Sequence, residues 1–572
     1  MIQLLERSRR AARLLLPLAL VAACSTGGDS SKSNRDSASG DVGAPWSPAN
    51  LTAVNGVPIA ALRSAVAARL DGKRPDAISD DAWEHTRRLY KRFGQTPLWL
   101  VEDGLAKDRA GALTNTALHA SDDGLRIDDY PIADLANALT ALRRNPKPTA
   151  EQYADADVLL TATYAALGED YLIGQVDPKS VSQSWHINPE GDNLDSALVR
   201  TLTKLPLDKS IAAMRPQDPD YAGLQKELAH YRDIVNKGGF PKVPDGKALK
   251  RGDRDAAGRL AALRARLAAE GIDVPADSGG AVYGAGLAAG VAQFQARHGI
   301  AVDSALGSET VNAMNVPAAY RLGQIAANLE RHRWLPRSLG TRYILVNVPA
   351  FQLTAYDKGQ KALDMKVIVG EEYEDKATPV FADSMETVVF RPYWNITPDI
   401  QAKETEPKIA ADPGYMARNN LEYFTDGGER RIRQKPGAEN SLGLVKFLFP
   451  NDFNIYLHDT PEKELFDKDV RAFSHGCIRV QQPLQLASWV LGWDESRVRE
   501  AEQGKDNNWV KLPHKIPVYI DYATAYVKDG QLYFGNDLYH RDDQLVKALA
   551  EGALPSPRAV QALEALKRIA TG

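Results

Sequence analysis

The hydrophobic period changes near Arg342, and that change limits what the chain can fold into. Before it, apolar residues recur every three or four positions. Residues 159–167 read as a strong helical run, and Leu260, Leu263 and Leu267 form one apolar stripe. Val291, Phe294 and the aliphatic stem of Gln295 form another, and Leu322, Ile325, Leu329 and His332 continue a helix that Pro336 closes. After Arg342, short alternating runs at 343–348, 353–356, 365–369, 386–390, 446–449, 455–458, 478–480 and 518–522 read as strands. Lys528-Asp529-Gly530 turns a further hairpin that is expected to complete the sheet structure. At 572 residues the chain exceeds one hydrophobic core. The expectation is a multidomain α+β protein, helical first and then a β-sandwich or partly closed β-structure. Between Trp394 and Lys446 the strand pattern lapses, and from Asp542 onward the tail reads as helical.

The N-terminus reads as a signal peptide: arginines at 7, 9, 10 and 13 precede an apolar run, residues 14–23, too short to span a bilayer. Val21-Ala22-Ala23-Cys24 resembles a lipobox, with Cys24 as the residue to be lipidated; an uncleaved signal anchor is the rival. More than one acyl chain gives stable anchoring. The Ser/Gly/Asp/Asn-rich residues that follow lack the apolar surface to fold and read as a tether. Lys and Arg number 70 against 74 Asp and Glu, a net charge of −4, and no basic cluster interleaves with aromatics. Nothing in that balance calls for nucleic acid.

The sequence contains two cysteines, Cys24 and Cys477. Separate roles for them leave no intramolecular disulfide, and a lone thiol has to stay free. Cys477 lies in Ser474-His475-Gly476-Cys477-Ile478-Arg479-Val480, downstream of Tyr456-Leu457-His458-Asp459-Thr460. A catalytic cysteine acts as thiolate, and a base or nearby cations must favour that form. His475, two residues away, points elsewhere on a strand or tight turn; His458 can reach the sulfur from a neighbouring strand. The bland alternative is an inert buried cysteine with two incidental histidines. Zinc on His458, His475 and Cys477 lacks further ligands, so no metal or cofactor is expected. Gly284-Ala285-Gly286 through Gly290 lacks the Lys-Ser/Thr ending and the preceding strand of a phosphate loop.

The two blocks, HDTP and SHGCIRV, resemble the signature of the L,D-transpeptidases, cysteine-dependent peptidoglycan cross-linkers. The resemblance implies Cys477 as nucleophile and His458 as base, with the imidazole oriented by the Asp459 carbonyl. It implies an oxyanion hole from backbone N–H groups around His475, Gly476 and Cys477, with the His475 ring a structural hydrogen-bonder. Arg479 would meet an anionic substrate group, unless it makes an ordinary surface ion pair. Ser474, Tyr456, Tyr393 and Trp394 would line the donor groove, with core packing the alternative for the three aromatics.

Residues 93–99 and Asp123-Gly124-Leu125 resemble the scaffold domain of the long, YcbB-like branch of that family. The order FQ, HGI, D, LG, T, MN across 294–315 resembles the three-helix peptidoglycan-binding domain, with Ser304 where a glycine is usual. Residues 412–419 resemble that branch's capping insertion; a solvated surface excursion is the alternative. The implied layout is a lipoprotein signal peptide (1–23), tether (24–54), helical scaffold (55–240) and peptidoglycan-binding-like module (247–317). A helical connector (318–340), a β-sandwich-like catalytic domain (341–541, with a cap at about 397–445) and a helical tail (542–572) follow. The implied function is 3→3 cross-linking of peptidoglycan stem peptides through a cysteine thioester, with release of D-alanine. The expected setting is the periplasm of a Gram-negative bacterium, lipid-anchored at the outer membrane, with carbapenem-type β-lactams as inhibitors. Two rivals remain at this point: a hydrolase using the same site, and a non-catalytic wall-binding protein.

Overall fold

The computed structural model describes Pro48 and residues 50–188, 193–275, 280–373, 376–550 and 556–571. The signal segment with Cys24 and most of the tether lie outside the described residues. The scaffold is built around helix α1 (Ala150–Ile173). Thr149 caps it: its hydroxyl accepts from the Gln152 N–H, and its own N–H donates to the Gln152 side chain. α1 is buried on all sides, so it shows no single apolar stripe. Asp157 on α1 is fully buried and accepts from the Leu98 N–H at 2.9 Å, the Trp99 N–H at 2.8 Å and the Tyr90 hydroxyl. Those donors offset the cost of burying a carboxyl group.

Helix α2 (Pro219–Asn236) leads to a small module of α3 (Ala257–Ala269), α4 (Ala285–Arg297) and α5 (Ser308–Met314). Leu260, Leu263, Leu267, Val291, Phe294 and Met314 close its core. The glycine-rich stretch from Gly284 opens α4. Gln295 contributes more than an aliphatic stem. Its buried amide donates to Asp303, Ala305 and Thr310, and accepts from the Ser304 N–H at 2.9 Å. That hub holds Ser304 at a φ of +61°, a region a glycine would occupy freely. Helix α6 (Ala318–Arg333) connects the module to the sheet region.

The strands after α6 are β1 (Arg342–Asn347), β2 (Gln352–Asp357), β3 (Gln360–Gly370), β4 (Phe381–Phe390), β5 (Trp394–Asn395), β6 (Leu421–Asp426) and β7 (Glu429–Gln434). β8 (Val445–Leu448), β9 (Leu457–His458), β10 (Ala472–Ser474), β11 (Ile478–Val480) and β12 (Asn508–Asp521) follow. The main sheet runs β10-β3-β11-β9-β8-β4-β12-β1-β2, and β2 pairs back onto β3. The sheet therefore closes on itself through β3, whose eleven residues pair with β2 first and with β11 and β10 at the far end. Residues two apart point inward: Ile344 and Val346, Val367 and Val369, Val388 and Phe390, Val445 and Phe447, Val518 and Ile520.

Three expectations are corrected. β13 (Ala525–Lys528) and β14 (Gln531–Phe534) do not complete the main sheet; they form a separate hairpin. Thr524 explains the departure: its N–H donates to Asn328 and its hydroxyl to Asp542, which turns the chain off β12. Leu532 and Phe534 then pack on Tyr221, Leu224 and Leu228 of α2 and Leu329 of α6. The C-terminal segment is not a mere tail. After α7 (Asp542–Ala550), α8 (Pro557–Thr571) returns to the scaffold and buries Ala559, Ala562 and Leu566 in its core. The stretch between Trp394 and Lys446 does contain strands: β6 and β7 form a regular hairpin that β5 joins. Its residues are mostly polar or exposed, with Ile432 the buried apolar one, so hydrophobic alternation could not reveal it.

Candidate active site

β9 and β11 lie side by side in parallel, with His458 opposite Arg479. Cys477 immediately precedes β11, so the strand pairing brings the two motif blocks together. Both side chains line a cleft of about 750 Å3 roofed by the segment 394–445. A larger cavity of about 1030 Å3 lies in the scaffold, and no cysteine lines it.

His458 is 4 % exposed, and its Nδ1–H donates to the Asp459 carbonyl. That bond leaves Nε2 as the nitrogen able to accept a proton. The Asp459 carboxylate plays a different part, accepting from the Leu444 N–H at 2.9 Å and pairing with Lys463. Gly443 makes room for it. A Cβ there would come within 2.3 Å of Asp459 Oδ2, and the residue sits at a φ of +60°. Burial, together with Arg479, Lys446 and Lys463, outweighs the Asp459 carbonyl and pushes His458 down to about 3. The imidazole is thus neutral at pH 7.

Cys477 is half-buried, and its Sγ–H points at the Asn454 carbonyl, 3.6 Å away. Burial raises its pKa; the Tyr456 main chain and phenol, Lys446 and Arg479 pull it back only in part. At rest, therefore, Cys477 is a thiol and His458 a neutral imidazole. Tyr456 packs edge-on to His458, with ring centroids 5.7 Å apart. The Lys446 ammonium lies 3.8 Å from the Tyr456 ring centroid.

The loop that carries Cys477 is braced from within. The Ser474 hydroxyl donates to the Cys477 carbonyl and accepts from the Gly476 N–H at 3.2 Å. Ser474 thus braces the loop as well as lining the cleft, and the Gly476 N–H is taken. Among the described residues, nothing accepts from the Cys477 N–H. Gly476 itself adopts a φ of +106°, and its carbonyl accepts from the buried Thr378 hydroxyl at 2.9 Å. The His475 ring turns outward to Glu404 of the cap, at 2.7 Å, and orients neither the sulfur nor His458. Arg479 is occupied as well: it pairs with Glu462 and donates to the Phe473 carbonyl at 3.4 Å.

Trp394 and Tyr456 line the Cys477 cleft. Tyr393 does not. It faces a separate cleft, with the Arg433 guanidinium 3.9 Å from its ring centroid, because adjacent strand residues point to opposite sides. The sequence reading missed Thr378, Lys446, Asn454 and Glu404. None belongs to a motif; Lys446 alone carried a signal, since it sits in a predicted strand between apolar neighbours.

Comparison with known families places three domains on this chain. The description "L,D-transpeptidase catalytic domain" (YkuD) matches residues 341–520, "Scaffold domain" matches 84–228, and "Putative peptidoglycan binding domain" matches 257–314. A Haemophilus influenzae protein described as "Putative L,D-transpeptidase" is 32 % identical over 242 residues, 39 % of this chain and 48 % of that protein. The chain thus matches about half the length of that relative. Solved L,D-transpeptidase structures from Xylanimonas cellulosilytica and Stackebrandtia nassauensis are each 14 % identical. They cover 49 % and 48 % of this chain and 99 % and 97 % of their own, at TM-scores of 0.15 and 0.18, too low to bear on the fold. Cys477 and His458 thus lie inside the stretch that matches the L,D-transpeptidase catalytic domain, with a scaffold-domain match and a peptidoglycan-binding-domain match ahead of it.

Proposed function

We propose that this protein joins peptidoglycan stems by 3→3 cross-links through a thioester on Cys477. The Sγ attacks the carbonyl between the third and fourth residues of a tetrapeptide stem. His458 Nε2 takes the thiol proton during the attack and gives it to the departing D-alanine amine. The Cys477 N–H, which no described group takes, meets the developing oxyanion, a contact whose loss costs about 3 kcal/mol in comparable sites. The side-chain amine of a second stem then displaces the sulfur, and an amide replaces the thioester.

The observation that carries this reading is that a half-buried thiol and a neutral, carbonyl-oriented imidazole line one cleft. The cap over that cleft favours transfer, because shielding the thioester from water leaves the amine as acceptor. The peptidoglycan-related domains point to a cell-wall or periplasmic location. Among the described residues no helix is long and apolar enough to cross a membrane. Anchoring through Cys24 belongs to the same proposal, and the mass of the mature N-terminal peptide would test it.

The deciding experiment incubates purified protein with tetrapeptide muropeptides and reads the products by mass spectrometry. Free D-alanine together with tripeptide-linked dimers is the expected result. Shortened stems without dimers would make the enzyme a hydrolase, and an unchanged outcome in Cys477→Ala would end the enzymatic reading. A carbapenem adduct on the intact chain, absent from Cys477→Ala, is the expected companion result.

A further inference from the structure

The pairings across the sheet set five residues in one row. Trp509 of β12 lies opposite Val389 of β4, Val389 opposite Lys446 of β8, Lys446 opposite His458 of β9, and His458 opposite Arg479 of β11. Directly opposed residues share a face of the sheet. This row faces outward, since its sequence neighbours Val388, Val445 and Leu457 fill the interior. The base of the active site and Trp509 thus occupy one outer face, three strand steps or roughly 14 Å apart.

Trp509 is 60 % exposed, yet its ring is held. The indole N–H donates to Asn507 Oδ1 at 3.0 Å, and the Asn507 N–H donates to the Arg391 carbonyl at 2.8 Å. Beside it opens a cleft of about 170 Å3, walled by Trp509, Tyr393, Asn395, Asn507, Arg433 and Lys446. Arg433 covers the Tyr393 ring and is fixed by Glu422 at 2.7 Å. Lys446 borders both this cleft and Tyr456 of the active site, and among the described residues no carboxylate pairs with it.

A flat exposed indole flanked by the Asn395 and Asn507 amides and two cations matches a pyranose: the sugar's C–H face lies on the ring, and its hydroxyl and acetamido groups meet those polar groups. The cleft is far too small for a protein partner, which needs on the order of 800 Å2 a side. We propose that this cleft is a sugar subsite, holding an N-acetylated amino-sugar ring of the donor strand while its stem peptide runs along the outer face to Cys477. The proposal rests on the donor reading given above. The reach agrees with it. Three extended residues span about 10 Å, and the link from sugar to peptide supplies the remainder. Lys446 lies two of the three steps along that path.

The test compares two donors, a free tetrapeptide and a disaccharide-tetrapeptide, in the full chain. The unmodified protein is expected to favour the sugar-bearing donor by about tenfold in kcat/KM, the scale of one aromatic contact. Trp509→Ala should bring that ratio near one, with Trp509→Phe in between. A ratio of one in the unmodified protein, or a preference that survives Trp509→Ala, overturns the subsite. Calorimetry with the tetramer of N-acetylglucosamine reads the subsite without turnover. Binding that Trp509→Ala abolishes supports it even where neither donor reacts, and in that case the transferase reading alone falls. Absence of binding, or binding untouched by Trp509→Ala, overturns it.

Discussion

His332 and His458 are both largely buried imidazoles, and their surroundings drive them in opposite directions. At the junction of scaffold and connector, His332 Nδ1 lies 3.3 Å from Asp218, with Asp220 and Asp521 near. Burial alone would lower its pKa, but the carboxylates prevail and push it up to about 9. In the active site, the Nδ1–H of His458 meets a carbonyl, and the charged neighbours are cations. Burial and those cations push it down to about 3. One imidazole is a structural cation and the other a neutral proton acceptor. The acceptor given to Nδ1, together with the sign of the surrounding charge, decides which.

Several substitutions break or sharpen that contrast. The largest effect is expected from Cys477→Ala, which should reduce D-alanine release to background in the muropeptide assay. His458→Gln should lower kcat by a factor on the order of 10²–10⁴. His332→Gln should leave kcat within a few-fold, and an equal loss there would erase the contrast. Gly443→Ala should also cost activity, on the order of 10²-fold, because its methyl displaces Asp459 and with it the carbonyl that orients His458. Preserved activity in that variant would show that His458 does not depend on the 459 carbonyl.

The resting protonation states give a pH signature. The Cys477 thiol is raised and His458 is neutral down to about pH 3. Iodoacetamide alkylation of Cys477 should therefore climb through pH 7–9, about tenfold per unit, with no reactive plateau between pH 4 and 7. Such a plateau would reveal a thiolate–imidazolium pair instead. The smallest effect concerns stability. His332 is raised in the folded state, so its contribution is fully present below the unfolded value of 6.5 and is lost as pH rises through about 9. Chemical denaturation should show roughly 3 kcal/mol fading across that window, and His332→Gln should flatten it.

The parts legible from sequence were those with a period or a motif. Inward alternation at Ile344 and Val346 and at Val518 and Ile520 made the sheet readable, and the two short blocks marked Cys477 and His458. The β6–β7 hairpin escaped because it is held by main-chain bonds and ion pairs such as Arg433–Glu422, with little apolar surface to imprint a pattern. Thr378 escaped because its hydroxyl acts on Gly476, 98 residues away. Helix α8 was read as helix, but nothing local told that its alanines pack into the scaffold.

By itself the sequence determined the helical and strand halves, a candidate nucleophile with its candidate base, and the domain order. Those follow from side-chain periodicity and from chemistry carried by neighbouring residues. Only the tertiary structure decided that the sheet closes through β3, that the Gly476 N–H is already engaged, that His475 turns to the cap, and that Trp509 shares a face with His458. Each of these depends on which distant strands become neighbours, and strand pairing is settled by packing across the whole sheet rather than by any local run of residues.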